Sequence, residues 1–234
     1  MSTIIPKTTS EKVVFAARLA LLFHVVGFIG IVFVDRDLFV PLTPLNLLLS
    51  AGLLIWTQEQ KNKWFYLFFL VAFATGMLTE YLGVNYQLLF GHYQYGTALG
   101  SKVGGVPLMI GVNWFVIVLC SGVAVQTLLN LIWNKLREKD LAPRNNVGFW
   151  SFIIDGALTA TFFDWLMEPV AVELRFWQWL GDGNIPMFNY VCWFLISAAL
   201  LLLLRILHIN RENQFAVHLL LIQTIFFLAL RILL

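Results

Sequence analysis

Residues Val106 to Leu128 read Val-Pro-Leu-Met-Ile-Gly-Val-Asn-Trp-Phe-Val-Ile-Val-Leu-Cys-Ser-Gly-Val-Ala-Val-Gln-Thr-Leu, without one charged side chain. About 20 mostly apolar residues cross the hydrocarbon core of a bilayer as a helix. Lipid offers the backbone no hydrogen-bond partner, so such a segment must satisfy its own N–H and C=O groups and is helical. Working outward, the same character recurs in Val13–Val34, Leu38–Trp56, Trp64–Leu82, Gly148–Val170, Pro186–Leu207 and Phe215–Leu234. Together these stretches predict an all-α, polytopic membrane helix bundle of about seven transmembrane helices, a single transmembrane domain over residues 1–234. Pro41 and Pro44 fall near the start of the second span, where a helix tolerates proline best.

Composition agrees. The chain has 234 residues, 60% hydrophobic and 12% charged, with a mean hydropathy of +0.82. A water-facing surface needs about 25% charged residues. A net charge of +2 and no basic stripe argue against a nucleic-acid partner. Cys120 and Cys192 lie inside apolar runs and read as small buried hydrophobes. The first apolar run contains Arg18 and lacks a small-residue cleavage site, so it reads as a retained span.

Lysine and arginine set the orientation. With the N-terminus inside, the inner segments carry Lys7, Lys12, Lys61, Lys63, Lys135, Arg137, Lys139, Arg144 and Arg211. The outer segments carry Arg36, Lys102 and Arg175, with Arg231 near the C-terminus. Arg18 and Arg205 lie within the inner ends of spans and can snorkel inward. The expected arrangement is a multi-pass protein of the cell (inner) membrane, N-terminus cytoplasmic and C-terminus non-cytoplasmic.

A pseudo-repeat is visible. Gly104-Gly-Val-Pro107 followed by Trp114-Phe115 opens the fourth span, and Gly183-Asn-Ile-Pro186 followed by Trp193-Phe194 opens the sixth. Both read Gly-x-(Val/Ile)-Pro-x6-Trp-Phe. Upstream, Glu80 and Asn85 match Glu168 and Glu173 at equal spacing. Spans three–four and five–six thus read as two copies of a helical hairpin, related by an axis along the membrane normal. Chance similarity between two apolar helix starts is the competing explanation.

Acids inside spans are costly, about 2.5–3.5 kcal/mol each at a helix centre, and mark function by default. Glu80 ends the third span, and Asp155, Asp164 and Glu168 lie along the fifth. At 100° per residue, Thr161, Asp164 and Glu168 form one stripe, while Asp155 and Thr159 face the other way. Asp155 is expected to answer Arg18 or another helix. Pro169 removes a backbone donor and is expected to bend the helix, leaving Glu173 past the bend near water. Beside these acids lie two aromatic loops, Asn85-Tyr-Gln-Leu-Leu-Phe-Gly-His-Tyr93-Gln-Tyr95 and Phe176-Trp177-Gln-Trp179. An interfacial aromatic belt accounts for part of this enrichment. Both loops, Glu80, Asp164 and Glu168 converge at the outer end of the bundle.

Carboxyl groups in apolar surroundings keep their protons toward neutral pH and act as general acids. Aromatic faces stabilise a cation. This set suits protonation of an electron-rich alkene and capture of a tertiary carbocation by water, although proton-coupled transporters use similar acids. A retinal protein needs a lysine in a late span, and spans six and seven have none. Of possible haem ligands inside spans, only His24 and His218 exist. The acids lack the clustering of a diphosphate–Mg²⁺ site, and no zinc or Ser-His-Asp spacing is evident.

Two gapped patterns carry a resemblance. Glu80-Tyr-Leu-Gly83 then Phe90-Gly-His-Tyr93-Gln-Tyr95-x3-Leu99-Gly100-x4-Gly105-Val-Pro107 is one. Asp164-Trp-Leu-Met-Glu168-Pro169, then Trp177-Gln-Trp179, then Ile185-Pro186-x2-Asn189-x3-Trp193 is the other. Together they resemble the integral-membrane carotenoid biosynthesis family over residues 75–195, with members such as the bisanhydrobacterioruberin and γ-carotene hydratases. The resemblance implies addition of water across the C1–C2 double bond of an acyclic ψ end group, with no metal, redox cofactor or nucleotide. It makes Asp164, Glu80 and Glu168 the catalytic candidates, Asp164 as the acid and Glu80 or Glu168 as the group that positions water. Where this chain has Glu168 the family often carries Asp. Tyr93, Tyr95, Trp177, Trp179, Asn189, Trp193 and Asn85 become substrate-binding candidates, with Asn189 bonding a carboxyl group or the water. Asp155 and Glu173 have no counterpart. The implied partners are a lipophilic carotenoid, the bilayer and other carotenoid-pathway enzymes. A carotenoid end-group cyclase and a proton-coupled transporter are the alternatives.

Overall fold

A computed structural model describes residues 10–139, 145–207 and 209–234. Lys7 and Arg144, two of the charges counted toward the inner side, lie outside the described residues. The chain is an all-α membrane bundle. Helix α1, Glu11–Ile29, continues through a π-helical turn at Gly30–Val34. Asp35 then caps α2, Arg36–Phe39, by accepting from the N–H groups of Asp37 and Leu38. A 3₁₀ turn, Val40–Leu42, leads into α3, Thr43–Thr57. The expected second span is thus broken near its start, because Pro41 and Pro44 withdraw two backbone donors from the first turns. Helices α4 (Lys63–Tyr86), α5 (Leu108–Arg137), α6 (Asn145–Glu173), α7 (Met187–Ile206) and α8 (Gln214–Leu233) complete the bundle.

Six of these segments are long and apolar enough to cross a membrane. The seventh, α6, has the length at 29 residues but carries Asp155, Asp164 and Glu168. Pro169 does not end it; the helix runs on to Glu173, which is exposed and pairs with Arg36 at 2.8 Å. Helix α5 is the axis. Its most apolar window is 78% buried, against 22–39% for the other spans, and α3, α4, α6, α7 and α8 all pack against it. Trp114, Phe115, Ile117 and Leu119 on α5 are fully enclosed.

Two charged residues depart from expectation. Asp155 is exposed and accepts from Ser151 of its own helix, not from Arg18. Arg205 turns into the bundle instead of running to the interface. It donates to Gln126 Oε1 at 3.2 Å and lies over the rings of Phe149 and Phe152. Arg211, in the turn after α7, shares Phe152 with it, and burial, followed by Arg205, pulls its pKa down to about 10.

The aromatic loops hold a feature that the helical reading missed. Strand β1, Tyr93–Tyr95, pairs antiparallel with a later strand, Trp177–Trp179, with Tyr93 opposite Trp179 and Tyr95 opposite Trp177. Between them β2, Lys102–Val103, and β3, Val106–Pro107, form a hairpin, which makes the Trp177–Trp179 strand β4. The hairpin turns on Gly104 and Gly105, at φ of 57° and 84°, the sign that a tight two-residue turn requires. Side chains alternate along a strand, so Tyr-Gln-Tyr and Trp-Gln-Trp each bury two aromatics and expose the glutamine. The ribbon closes one end of the bundle over the acids of α4 and α6.

Candidate active site

Helical pitch and this ribbon bring the two sequence patterns together. A small cavity is lined by Glu80 from α4, Tyr93 and Tyr95 from β1, and Trp114 from α5. Asp164 and Glu168 from α6, Trp177 and Trp179 from β4, and Asn189 and Trp193 from α7 complete it. Asp164 and Glu168 are one helical turn apart and share a face. The three carboxylates are buried, at 5% exposure for Glu80, 0% for Asp164 and 3% for Glu168. Among the described residues none of them makes an ion pair, so each is held by neutral donors.

Those donors come in two sets. Glu80 Oε2 accepts from the hydroxyls of Tyr93 at 2.5 Å and Tyr95 at 2.7 Å, and its Oε1 accepts from the Trp114 indole at 3.2 Å. Glu168 Oε2 accepts from the indoles of Trp177 and Trp179, both at 3.0 Å. The Asn189 amide donates to Glu168 Oε1 at 3.2 Å and to Asp164 Oδ2 at 2.8 Å, joining the two acids. Burial first, and neighbouring Glu80 second, holds the Tyr93 and Tyr95 phenols well above their ordinary range, so both remain O–H donors. The rings of Trp114 and Trp193 stack at 4.0 Å and 13°, closing one wall.

One carboxylate oxygen stands apart. Asp164 Oδ1 is buried without a hydrogen-bond partner, and no other carboxylate oxygen among the described residues is. An unsatisfied buried acceptor costs about 1–3 kcal/mol, and the cost is far larger for an ionised carboxylate than for a protonated one. Among the described residues no three His, Cys, Asp or Glu side chains converge closely enough to hold a metal ion.

Nine of the ten residues expected at the site line this cavity. Asn85 does not. It is exposed and donates to the carbonyls of Gly104 at 2.8 Å and Tyr81 at 3.0 Å, tying the end of α4 to the β2–β3 hairpin. The sequence reading missed Phe90, Ile110, Asn113, Trp114 and Met167 as site residues. Three of these carried a signal: Phe90 stands in the first gapped pattern, Trp114 in the pseudo-repeat, and Asn113 is an amide in an otherwise apolar run.

A second small cavity adjoins the first. The two share Ile110, Asn113, Met167 and Trp177 as a common wall. Its remaining lining is apolar (Leu47, Leu99, Phe163, Phe176 and Phe227) apart from Thr43 and Gln223. Gln223 Oε1 is buried without a partner.

Comparison with known proteins agrees with this geometry at the level of family. No curated protein and no solved structure gives a significant match. The family model described as carotenoid biosynthesis protein matches residues 39–234, which takes in all three acids, both strands of the aromatic ribbon and every helix from α3 onward. The chain belongs to the carotenoid biosynthesis protein family, and its part in that biosynthesis is that of a polytopic membrane protein.

Proposed function

We propose that the protein is a carotenoid 1,2-hydratase, adding water across the C1–C2 double bond of an acyclic ψ end group. The observation that carries this reading is the unpartnered Asp164 Oδ1 in a cavity walled by four tryptophans and two tyrosines. Asp164 donates its proton to C2. The alkene π pair forms the new C–H bond, and a tertiary cation is left at C1. Positioned general acids contribute about 10²–10⁴-fold to such steps. The stacked Trp114 and Trp193 and the ribbon aromatics face the cation, each ring worth about 0.5–2 kcal/mol.

Water then attacks C1 and must lose a proton. Glu168 takes it and, through the shared Asn189 amide, sits beside the Asp164 that must be recharged. Glu80, held by three donors, supports the negative side of the cavity and keeps the ribbon tyrosines in place. Asn113 and Gln223 give the adjoining chamber two amide groups for holding water, which favours hydration over cyclisation. The excess of lysine and arginine at the opposite end supports a non-cytoplasmic position for the ribbon end.

Expression in a host that accumulates lycopene or γ-carotene, with pigment masses read by mass spectrometry, tests the proposal. A product heavier by one water is expected. An isomer of unchanged mass would replace hydration by cyclisation, since both start with the same protonation. No change in either pigment would overturn the enzymatic reading.

A further inference from the structure

Asp155 and Arg18 are both exposed on membrane-spanning helices, and among the described residues neither has an ionic partner. Arg18 has a long side chain that can lift its charge toward an interface. Asp155 does not. It takes only the Ser151 hydroxyl, and it is flanked by Ile154 and Leu158, 43% and 54% exposed. An ionisable group at such a place pairs or faces a protein partner.

The two charges lie at one depth. Helix α8 packs against both α1 and α6, which make no substantial contact with each other. His24 on α1 meets the Phe226 ring at 5.3 Å, and Phe163 on α6 meets the adjacent Phe227 ring at 5.6 Å. These rungs put the three helices in register. Arg18 is six residues before His24 and Asp155 eight before Phe163, about 9 Å and 12 Å back along the helices at 1.5 Å per residue. Allowing for the offset between the two rungs, the charges differ in depth by about 2 Å.

Between them α8 is bare. With α1, α3, α5 and α6 on its other sides, it leaves Leu221, Ile225, Leu228 and Ile232 between 47% and 73% exposed. Their spacing of four, three and four is the seam of a helix packed against another helix.

We infer that this α1–α8–α6 face is the interface of a two-fold homodimer, with α8 against its copy and Arg18 paired to Asp155 of the other chain. A two-fold axis along the membrane normal exchanges the flanks. With the two α8 helices at the axis, α1 of each chain lies opposite α6 of the other, and one rotation makes both ion pairs. Within one chain, α8 keeps the two charges apart. This inference does not depend on the reaction that the cavity performs.

The test is a charge exchange on the full chain in lipid nanodiscs, with oligomeric state read by native mass spectrometry and dimer affinity by dilution. The wild type is expected to be a dimer. Asp155→Arg and Arg18→Asp alone each place like charges opposite one another and should weaken dimerisation about tenfold or more. The double variant should return to within about threefold of the wild type. A monomeric wild type, an unchanged dimer in either single variant, or no recovery in the double variant would overturn the interface. If a reversal blocks insertion, Ile225→Cys decides: oxidation should give a cross-linked dimer through α8, and its absence counts against the seam.

Discussion

The hairpin α4–α5 with β1 and the hairpin α6–α7 with β4 are built alike, and they differ at the residues proposed to carry the chemistry. Each has a glutamate near the end of its first helix, Glu80 or Glu168, clasped by an aromatic-Gln-aromatic strand. Each opens its second helix with proline and places a tryptophan seven residues on, and these two tryptophans stack. Four residues before Glu80 stands Gly76, and four before Glu168 stands Asp164. Three residues after Pro107 stands Ile110, and three after Pro186 stands Asn189. The first hairpin thus lacks both the unpartnered acid and the amide that joins it to the glutamate. It could not easily gain the acid, because a Cβ at Gly76 would meet the Trp114 ring at 2.5 Å. The shared parts build the cavity, and the unshared parts are the acid and the amide on which the proposed hydration rests.

The largest effect should follow from abolishing that difference at one atom. Asp164→Asn keeps the shape and the contact with Asn189 but removes the transferable proton. Product formation, measured by pigment analysis, should fall by about 10²–10⁴-fold, with the protein still in the membrane. Retained activity would move the acid to Glu80 or Glu168 and make the two halves equivalent. Asn189→Ile, which gives the second hairpin the residue of the first, ranks next. It removes the donor shared by two buried carboxyls, a loss of about 1–3 kcal/mol. A fall of roughly ten- to a hundredfold in turnover is expected, together with a lowered Tm.

The helical architecture was legible because the bilayer demands long apolar segments, and one residue pattern, such as Val106–Leu128, meets that demand unaided. The acids were legible for the complementary reason, since Glu80, Asp164 and Glu168 are too costly in lipid without a task. The ribbon was not read, although Tyr93-Gln-Tyr95 and Trp177-Gln-Trp179 carry the period of two. Three-residue strands gain their partners from parts of the chain more than 80 residues apart, and no local pattern encodes that pairing. Asn85 lies outside the cavity for a related reason. Its match to Glu173 in spacing is real, but spacing fixes position along a helix and says nothing of the direction in which the side chain is satisfied.

Removing one ribbon donor at a time compares the two clasps. Tyr95→Phe leaves Glu80 with Tyr93 and Trp114, and Trp179→Phe leaves Glu168 with Trp177 and Asn189. One neutral hydrogen bond contributes about 1 kcal/mol, so each variant should lose several-fold in turnover. The second should lose more if Glu168 takes the proton from water. Equal losses would make both glutamates scaffolding.

The smallest effect should come from an equivalent pair that lies outside the cavity, Asn85 and Glu173. Asn85 ties a hairpin carbonyl to α4, while Glu173 reaches Arg36 across an exposed surface. Asn85→Ala therefore loses about 1 kcal/mol of stability, a fall of a few degrees in Tm, with turnover within about twofold of the wild type. A larger loss of turnover at unchanged Tm would show that the hairpin's position governs the cavity. The repeat would then matter to the reaction beyond the wall of aromatics it builds.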